Sequence, residues 1–189
     1  AVFRPTRVPR YVYLLEEGLV RIFRVSPRGG ELTIGYVRPG EIFGEVSVIS
    51  EAPRESFAHA ARSSRILQIP KEAFLRAMQS ARPLYAVTKR IGQHLIRCHS
   101  RAEDLVFCDT RTRLARVLLR LVDDFGKRTD HEMAVGLPLT GQEIAALIGA
   151  TRQSVSAALG ELVRAGLVAR RAGELVVVNP RALRELAGV

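Results

Sequence analysis

Apolar residues recur along this chain with two different periods. From Tyr11 to about residue 69 they come in short runs broken by turn residues. Tyr11–Leu15 and Leu19–Val25 read as strands, with Glu16-Glu17-Gly18 as the turn between them. Leu32–Val37 follows a Ser26-Pro-Arg-Gly-Gly30 loop and leads into Pro39-Gly40. Short strands at this spacing predict a small barrel or roll. Beyond Pro70 the period becomes helical. Pro70–Gln79 reads as a short helix with proline in its first turn. Residues 83–107 read as one long helix in which Leu84, Thr88, Ile91, Leu95, Cys98, Ala102 and Leu105 alternate by four and three. That is the seam of a helix that pairs with a copy of itself. The competing reading packs the helix on its own β-domain, with Val87, His94 and Val106 beside the seam.

After the link Phe107-Cys-Asp-Thr110, Asp109 or Thr110 caps a helix carrying Leu114, Val117, Leu118 and Leu121, which Gly126 ends. Leu139–Leu162 then predicts two short helices around a tight turn. Thr140 and Glu143 have capping-box spacing, and Ile144, Leu147 and Ile148 share a face. Gly149 suits the turn, and Thr151 caps a second helix whose apolar face is Val155, Leu159 and Leu162. Arg152, Gln153, Ser154 and Ser156 sit at the start of that second helix, where a helix-turn-helix places the side chains that touch base edges. A plain helical hairpin in a core is the bland alternative. Leu167–Arg171 and Glu174–Val178 around Ala172-Gly173 predict a β-hairpin, which completes a winged helix and offers Arg170 or Arg171 to a phosphate. The pattern as a whole is α+β: a β-roll over 1–82, a dimerisation helix over 83–107 and a winged helix-turn-helix over 108–189.

Composition changes this picture little. At 189 residues the chain holds one or two domains, and with 47% hydrophobic residues it is not a disordered chain. No apolar run reaches the ~18 residues of a membrane span. Two cysteines, Cys98 and Cys108, make no disulfide framework, so a cytoplasmic setting without membrane contact is expected. The net charge of +10 suits a polyanion such as double-stranded DNA and equally suits simple solubility. Residues 1–107 hold 17 Lys/Arg against 10 Asp/Glu, so most of the excess lies outside the expected DNA-reading part. No nucleophile–base constellation stands out, so no catalytic residue is assigned and an enzyme is not expected.

The order of β-domain, seam helix and winged helix resembles the cyclic-AMP receptor/fumarate-nitrate regulator (CRP/FNR) family of bacterial transcription factors. Three stretches carry the resemblance: Pro39-Gly-Glu-Ile-Phe-Gly-Glu45 in the phosphate cassette, Phe107–Leu114 at the hinge, and Thr151-Arg-Gln-Ser-Val155 in the recognition helix. It implies a homodimer that binds double-stranded DNA and works with RNA polymerase. Arg152 resembles the family's guanine-reading arginine, Gln153 replaces the usual Glu, and Ala157 stands where an Arg is common. Thr140, Gln142, Thr151 and Ser154 are implied phosphate contacts, with Arg170 on the wing. Family members usually have a helix and initial strands before the segment matched by Tyr11–Val25, so an abbreviated roll or a fragment is expected.

The resemblance also implies an effector pocket that departs from the cyclic-nucleotide pattern. Gly44-Glu45 match the ribose-binding pair and Arg54 the phosphate-binding arginine. The next residue is Glu55 where Ser or Thr is expected. Two like charges ~4 Å apart at an effective dielectric of ~20 repel by roughly 4 kcal/mol, on the order of a thousandfold in affinity. Arg54 is then available to pair with a nearby Glu, unless a register slip brings Ser56 to the phosphate. Cys98 and His99 stand at the adenine-reading positions of the dimer helix. A regulator that needs no cyclic AMP, and no cofactor, is therefore expected. Gating by a cyclic nucleotide or another small metabolite is the alternative. Cys98 and His99, with His94 close by, make no complete metal or haem ligand set, and a seam cysteine is commonly a small buried hydrophobe.

Overall fold

The computed structural model describes residues 1–128 and 132–189. The chain divides into two compact units, Ala1–His99 and Ser100–Val189.

The first unit is built from β1 (Tyr11–Glu17), β2 (Val20–Val25), β3 (Glu31–Val37), β4 (Ile42–Phe43), β5 (Phe57–Ala60) and β6 (Arg65–Pro70). They form two antiparallel three-stranded sheets of order β4-β1-β6 and β3-β2-β5. β1 shows why its sequence is apolar almost throughout. Successive side chains of a strand point to opposite faces. Tyr13 and Leu15 enter the roll interior with Phe3, Val20, Val37, Phe43 and Ala58. Val12, on the other face, packs with Val48, Phe74 and Val87. These last three come from α1 (Val46–Ile49), α2 (Lys71–Ala77) and α3 (Ala81–Phe107). Both faces of β1 are thus covered, and no polar alternation is required of it.

Some expectations are corrected here. β1 continues through Glu16 and Glu17, and the chain turns only at Gly18, at φ +96°. The long helix begins at Ala81 rather than 83. Its seam is not uniform. Ile91 packs with Val87 against the roll, whereas Leu84, Leu95 and Leu105 are 49%, 53% and 51% exposed. Cys98 is exposed on the single chain.

The second unit contains α4 (Thr110–Phe125), β7 (Lys127–Arg128), β8 (Met133–Ala134), α5 (Gly141–Ile148), α6 (Arg152–Arg164), β9 (Val168–Arg171), β10 (Glu174–Val177) and α7 (Pro180–Ala187). The strands form one antiparallel sheet of order β7-β8-β10-β9. Asp109 is the cap of α4, accepting from the Thr112 N–H at 2.7 Å. Leu114, Leu118, Ile144, Leu162, Leu175 and Leu183 are fully buried, so α4, α5, α6, β10 and α7 all contribute to one core. No described helix is long and apolar enough to cross a membrane.

Candidate DNA-reading surface and effector cassette

α5 and α6 are set by local chemistry. The Thr140 hydroxyl accepts from the Glu143 N–H (3.2 Å), and the Glu143 carboxylate accepts from the Thr140 N–H (2.8 Å), a complete capping box. The far end of α5 is closed by Gly149 in the left-handed conformation, at φ +62°. Arg113 of α4 donates to the Ile148 carbonyl at 3.0 Å, which satisfies one of the acceptors left open at a helix C-terminus. Thr151 caps α6 by accepting from the Ser154 N–H at 3.1 Å. The core side of α6 is Val155, Ala158 and Leu162. With that side fixed, Arg152, Gln153, Ser154, Ser156 and Ala157 stand exposed on the first two turns, and Gln142 is exposed on α5.

The hydroxyls of Thr140, Thr151 and Ser154 are engaged in these caps, the last two with each other at 2.9 Å. Arg152 is different. Its side chain has no hydrogen bond or ion pair among the described residues, so its planar donor fork is available to a partner.

The hairpin turns through Ala172 (φ +48°) and Gly173 (φ +84°), two consecutive left-handed residues, as a tight two-residue turn requires. The two wing arginines have separate fates. Arg171 makes a forked pair with Glu132, at 2.6 and 2.9 Å, and each raises the other's preference for its charged form. Arg170 is exposed, and among the described residues it bonds only weakly, to the Gly173 carbonyl at 3.4 Å.

One buried polar network escaped the sequence. Asp104, near the end of α3, is buried, its side chain only 5% exposed. It accepts from Arg116 at 2.5 Å and from both terminal nitrogens of Arg120 at 3.2 Å. Arg116 also donates to the Ala187 carbonyl at 2.7 Å. The last turns of α3, the length of α4 and the end of α7 are thereby joined through one carboxylate. Only the pairing of Asp104 with residues twelve and sixteen later, across the Asp109 break, could have signalled it, and no helical spacing marks such a pair.

In the first unit, the cassette loop brings Gly44 and Arg54 together. Gly44 is at φ +80°, and a Cβ there would stand 3.0 Å from Arg54 Nη2, so a side chain would displace the guanidinium. Arg54 donates through Nη2 to the carbonyls of Gly44 and Tyr11, both at 2.8 Å. Its guanidinium lies 4.2 Å from the Phe3 ring centroid. The expected Arg54–Glu pair is therefore corrected: Arg54 is held by backbone carbonyls and the Tyr13 side chain, and Glu45 acts on it through charge without forming an ion pair. Glu55 is corrected as well. It pairs with Arg24 of β2 and is 65% exposed, while Arg54 is 4% exposed. The repulsion worked for a carboxylate at ~4 Å from the phosphate does not apply to a side chain turned outward in this way.

Glu45 is 7% exposed, and that burial pushes its carboxyl above the ordinary value of 4.5 against the pull of its own backbone N–H and of the Arg90 and Arg54 charges. For Glu41 the balance tips the other way. Burial raises it, but the Arg38 N–H at 2.8 Å and the Arg90 guanidinium at 3.0 Å outweigh that and hold it ionised. Arg90, which the sequence did not single out, therefore ties α3 to the cassette. Cys98 and His99 are exposed on α3. Cys98 Sγ lies 3.5 Å from His94 Nε2. Among the described residues no three His, Cys, Asp or Glu side chains gather as a metal-binding group.

Comparison with known proteins fits this division. Residues 1–81 match the family described as "Cyclic nucleotide-binding domain", and residues 112–186 match "Crp-like helix-turn-helix domain". The global nitrogen regulator of Synechococcus elongatus is 30% identical over 187 residues, covering 97% of this chain and 84% of that protein. The CRP-like cAMP-activated global transcriptional regulator of Mycobacterium tuberculosis is 31% identical over 169 residues, covering 89% of this chain and 75% of that protein. A CRP/FNR-family transcriptional regulator from Thermus thermophilus superposes with a TM-score of 0.79 at 28% identity, covering 99% of this chain and 97% of the other.

Proposed function

Because this chain belongs to the CRP/FNR family of transcription regulators, we propose that it reads a near-palindromic DNA site as a homodimer and does so without cyclic AMP. The observation that carries the DNA reading is the exposed Arg152 at the capped start of α6, whose side chain has no partner among the described residues. Two recognition helices about 34 Å apart meet the major groove of successive half-sites. Arg152 reads guanine through O6 and N7, and Gln153 is suited to adenine. Gln142, Thr140, Thr151, Ser154 and Ser156 surround them on the DNA side, and Arg170 of the wing reaches a phosphate.

Dimerisation is supported by the outward side of α3. Leu84, Leu95 and Leu105 are half-exposed, and Ile96 and Val106 are 66% and 73% exposed. The stripe of Leu84, Leu95, Leu105 and Val106 calls for a partner surface, and a second α3 supplies it, with Thr88, Cys98 and Ala102 as its small positions. Independence from cyclic AMP rests on Cys98 and His99 at the base-reading positions and on an Arg54 already held by two carbonyls. No cofactor is then required. RNA polymerase is the partner such a regulator would address.

A second reading has one observation in its favour. The Arg90–Glu41 bridge links cassette to α3, so a small metabolite on the cassette could act on the dimer helix.

The test is Arg152→Ala on a specific duplex. The expected loss is about 1–3 kcal/mol, with relaxed selection for guanine at one position of each half-site. An equal loss on every sequence would make Arg152 a phosphate contact and overturn the base-reading assignment.

A further inference from the structure

The cassette uses Arg38, Arg54 and Arg90, but most of the first unit's cations are used neither there nor on the DNA-reading surface. Some of them are concentrated at one place. Arg4, Arg7 and Arg10 recur at every third residue, and residues 1–15 hold no Asp or Glu. The chain bends at Arg7-Val8, and Arg4, Arg7 and Arg10 line a single cleft of about 410 Å³.

The segment that carries them is anchored. Thr6 and Arg54 exchange backbone hydrogen bonds at 2.9 and 2.8 Å, and Phe3 bridges to Ala58. None of the three arginine side chains has a hydrogen bond or ion pair among the described residues. Arg54 also borders the cleft; it is 4% exposed, and its Nε has no hydrogen-bond partner. Tyr11, 38% exposed, adds an aromatic face. Four arginine residues thus line one space, with no Asp or Glu among the lining residues. The cleft shares Arg54 with the cassette, but Gly44, Glu45, Cys98 and His99 do not line it.

Four like charges around one space repel, and an anion of matching multiplicity removes that cost. Arginine suits phosphate because its planar fork meets two oxygens at once. A cleft of this size lies within the usual range of about 300–1,000 Å³ for small-molecule sites. A single monoanionic phosphodiester is too weakly charged to engage three separate arginines. We propose that this cleft binds a small polyphosphate, with adjacent phosphates bridging Arg4, Arg7 and Arg10. In a nucleoside polyphosphate the base stacks on Tyr11.

The experiment is calorimetric titration of the whole chain with tripolyphosphate, ATP and cyclic AMP. Tripolyphosphate and ATP are expected to bind at one site per chain. Replacing Arg4, Arg7 and Arg10 together by Gln should weaken both at least tenfold with an unchanged melting curve, since all three are exposed. Saturating cyclic AMP should not displace ATP. Tyr11→Leu should weaken ATP several-fold and leave tripolyphosphate unchanged; equal ATP affinity would remove the base from the proposal and leave the polyphosphate alone. Absence of binding by both polyphosphates, or equal binding to the triple variant, overturns the site. So does displacement of ATP by cyclic AMP, which would place the ligand in the cassette. Loss of DNA affinity in the triple variant without any polyphosphate binding would assign the arginines to the DNA backbone instead.

Discussion

Asp104→Ala tests how the end of α3 is fastened to the DNA-reading unit. The carboxylate is 5% exposed and receives three charge-assisted hydrogen bonds, one from Arg116 at 2.5 Å and two from Arg120 at 3.2 Å. Removing one partner of a fully buried pair costs about 3–5 kcal/mol, because the other charge is left without a partner in a dry site. That limit is too high here. Arg116 and Arg120 are 26% and 34% exposed, so both guanidiniums can turn partly to water. Arg116 also keeps its bond to the Ala187 carbonyl. Halving that range gives about 2 kcal/mol. In a domain pair of this size each kcal/mol moves the midpoint by roughly 2–4 °C. Scanning calorimetry should therefore show a midpoint about 4–8 °C lower for the variant. Asp104→Asn should recover part of the loss, since an amide oxygen still accepts from Arg116. A shift below about 1 °C for Asp104→Ala would mean that solvent screens the network completely, as at surface pairs, and would refute the assignment of Asp104 as a fastening.

Other outcomes follow from the same structure. Leu95→Glu puts a charge in the middle of the exposed α3 stripe, and sedimentation should show a monomer at concentrations where the parent is a dimer; an unchanged dimer would move the interface elsewhere. Glu45→Gln should raise stability at neutral pH. The Glu45 carboxyl is raised in the folded state, so its contribution is most favourable below the ordinary value of 4.5 and is lost as pH rises through the raised value. The advantage of Gln should accordingly be full at neutral pH and vanish below 4.5 in melts recorded across pH; an advantage that persists in acid would mean that the effect is packing rather than ionisation.

The parts that could be read from sequence are those whose signals are local. The capping box Thr140–Glu143, the left-handed Gly149, the Thr151 cap and the spacing of Val155 and Leu162 lie within a few residues of one another, and each demands the same backbone. The Ala172-Gly173 turn is legible for the same reason. Arg54 shows where such reading stops. Its residue type identifies the cassette, but its partners include the carbonyls of Tyr11 and Gly44, and no side-chain pattern encodes a backbone acceptor. Glu55 is misread when adjacency in sequence is taken for adjacency in space, whereas neighbours on an extended segment face opposite ways. Ile91 fits the seam by number, yet it packs with Val87 on the roll, because a heptad count does not say which of two apolar neighbours a helix will face. Arg90–Glu41 and Asp104–Arg116 join residues from different elements, and only the folded chain brings them together.

The measurement that bears most directly on the account is a titration of nucleotide-free protein into a labelled near-palindromic duplex from a randomised-site selection, with and without cyclic AMP, at physiological salt. The account predicts specific binding of one dimer per duplex, with the same affinity in both titrations. Binding that depends on cyclic AMP would contradict it, and would show that Cys98 and His99 still admit the base and that the carbonyl grip on Arg54 yields to the cyclic phosphate.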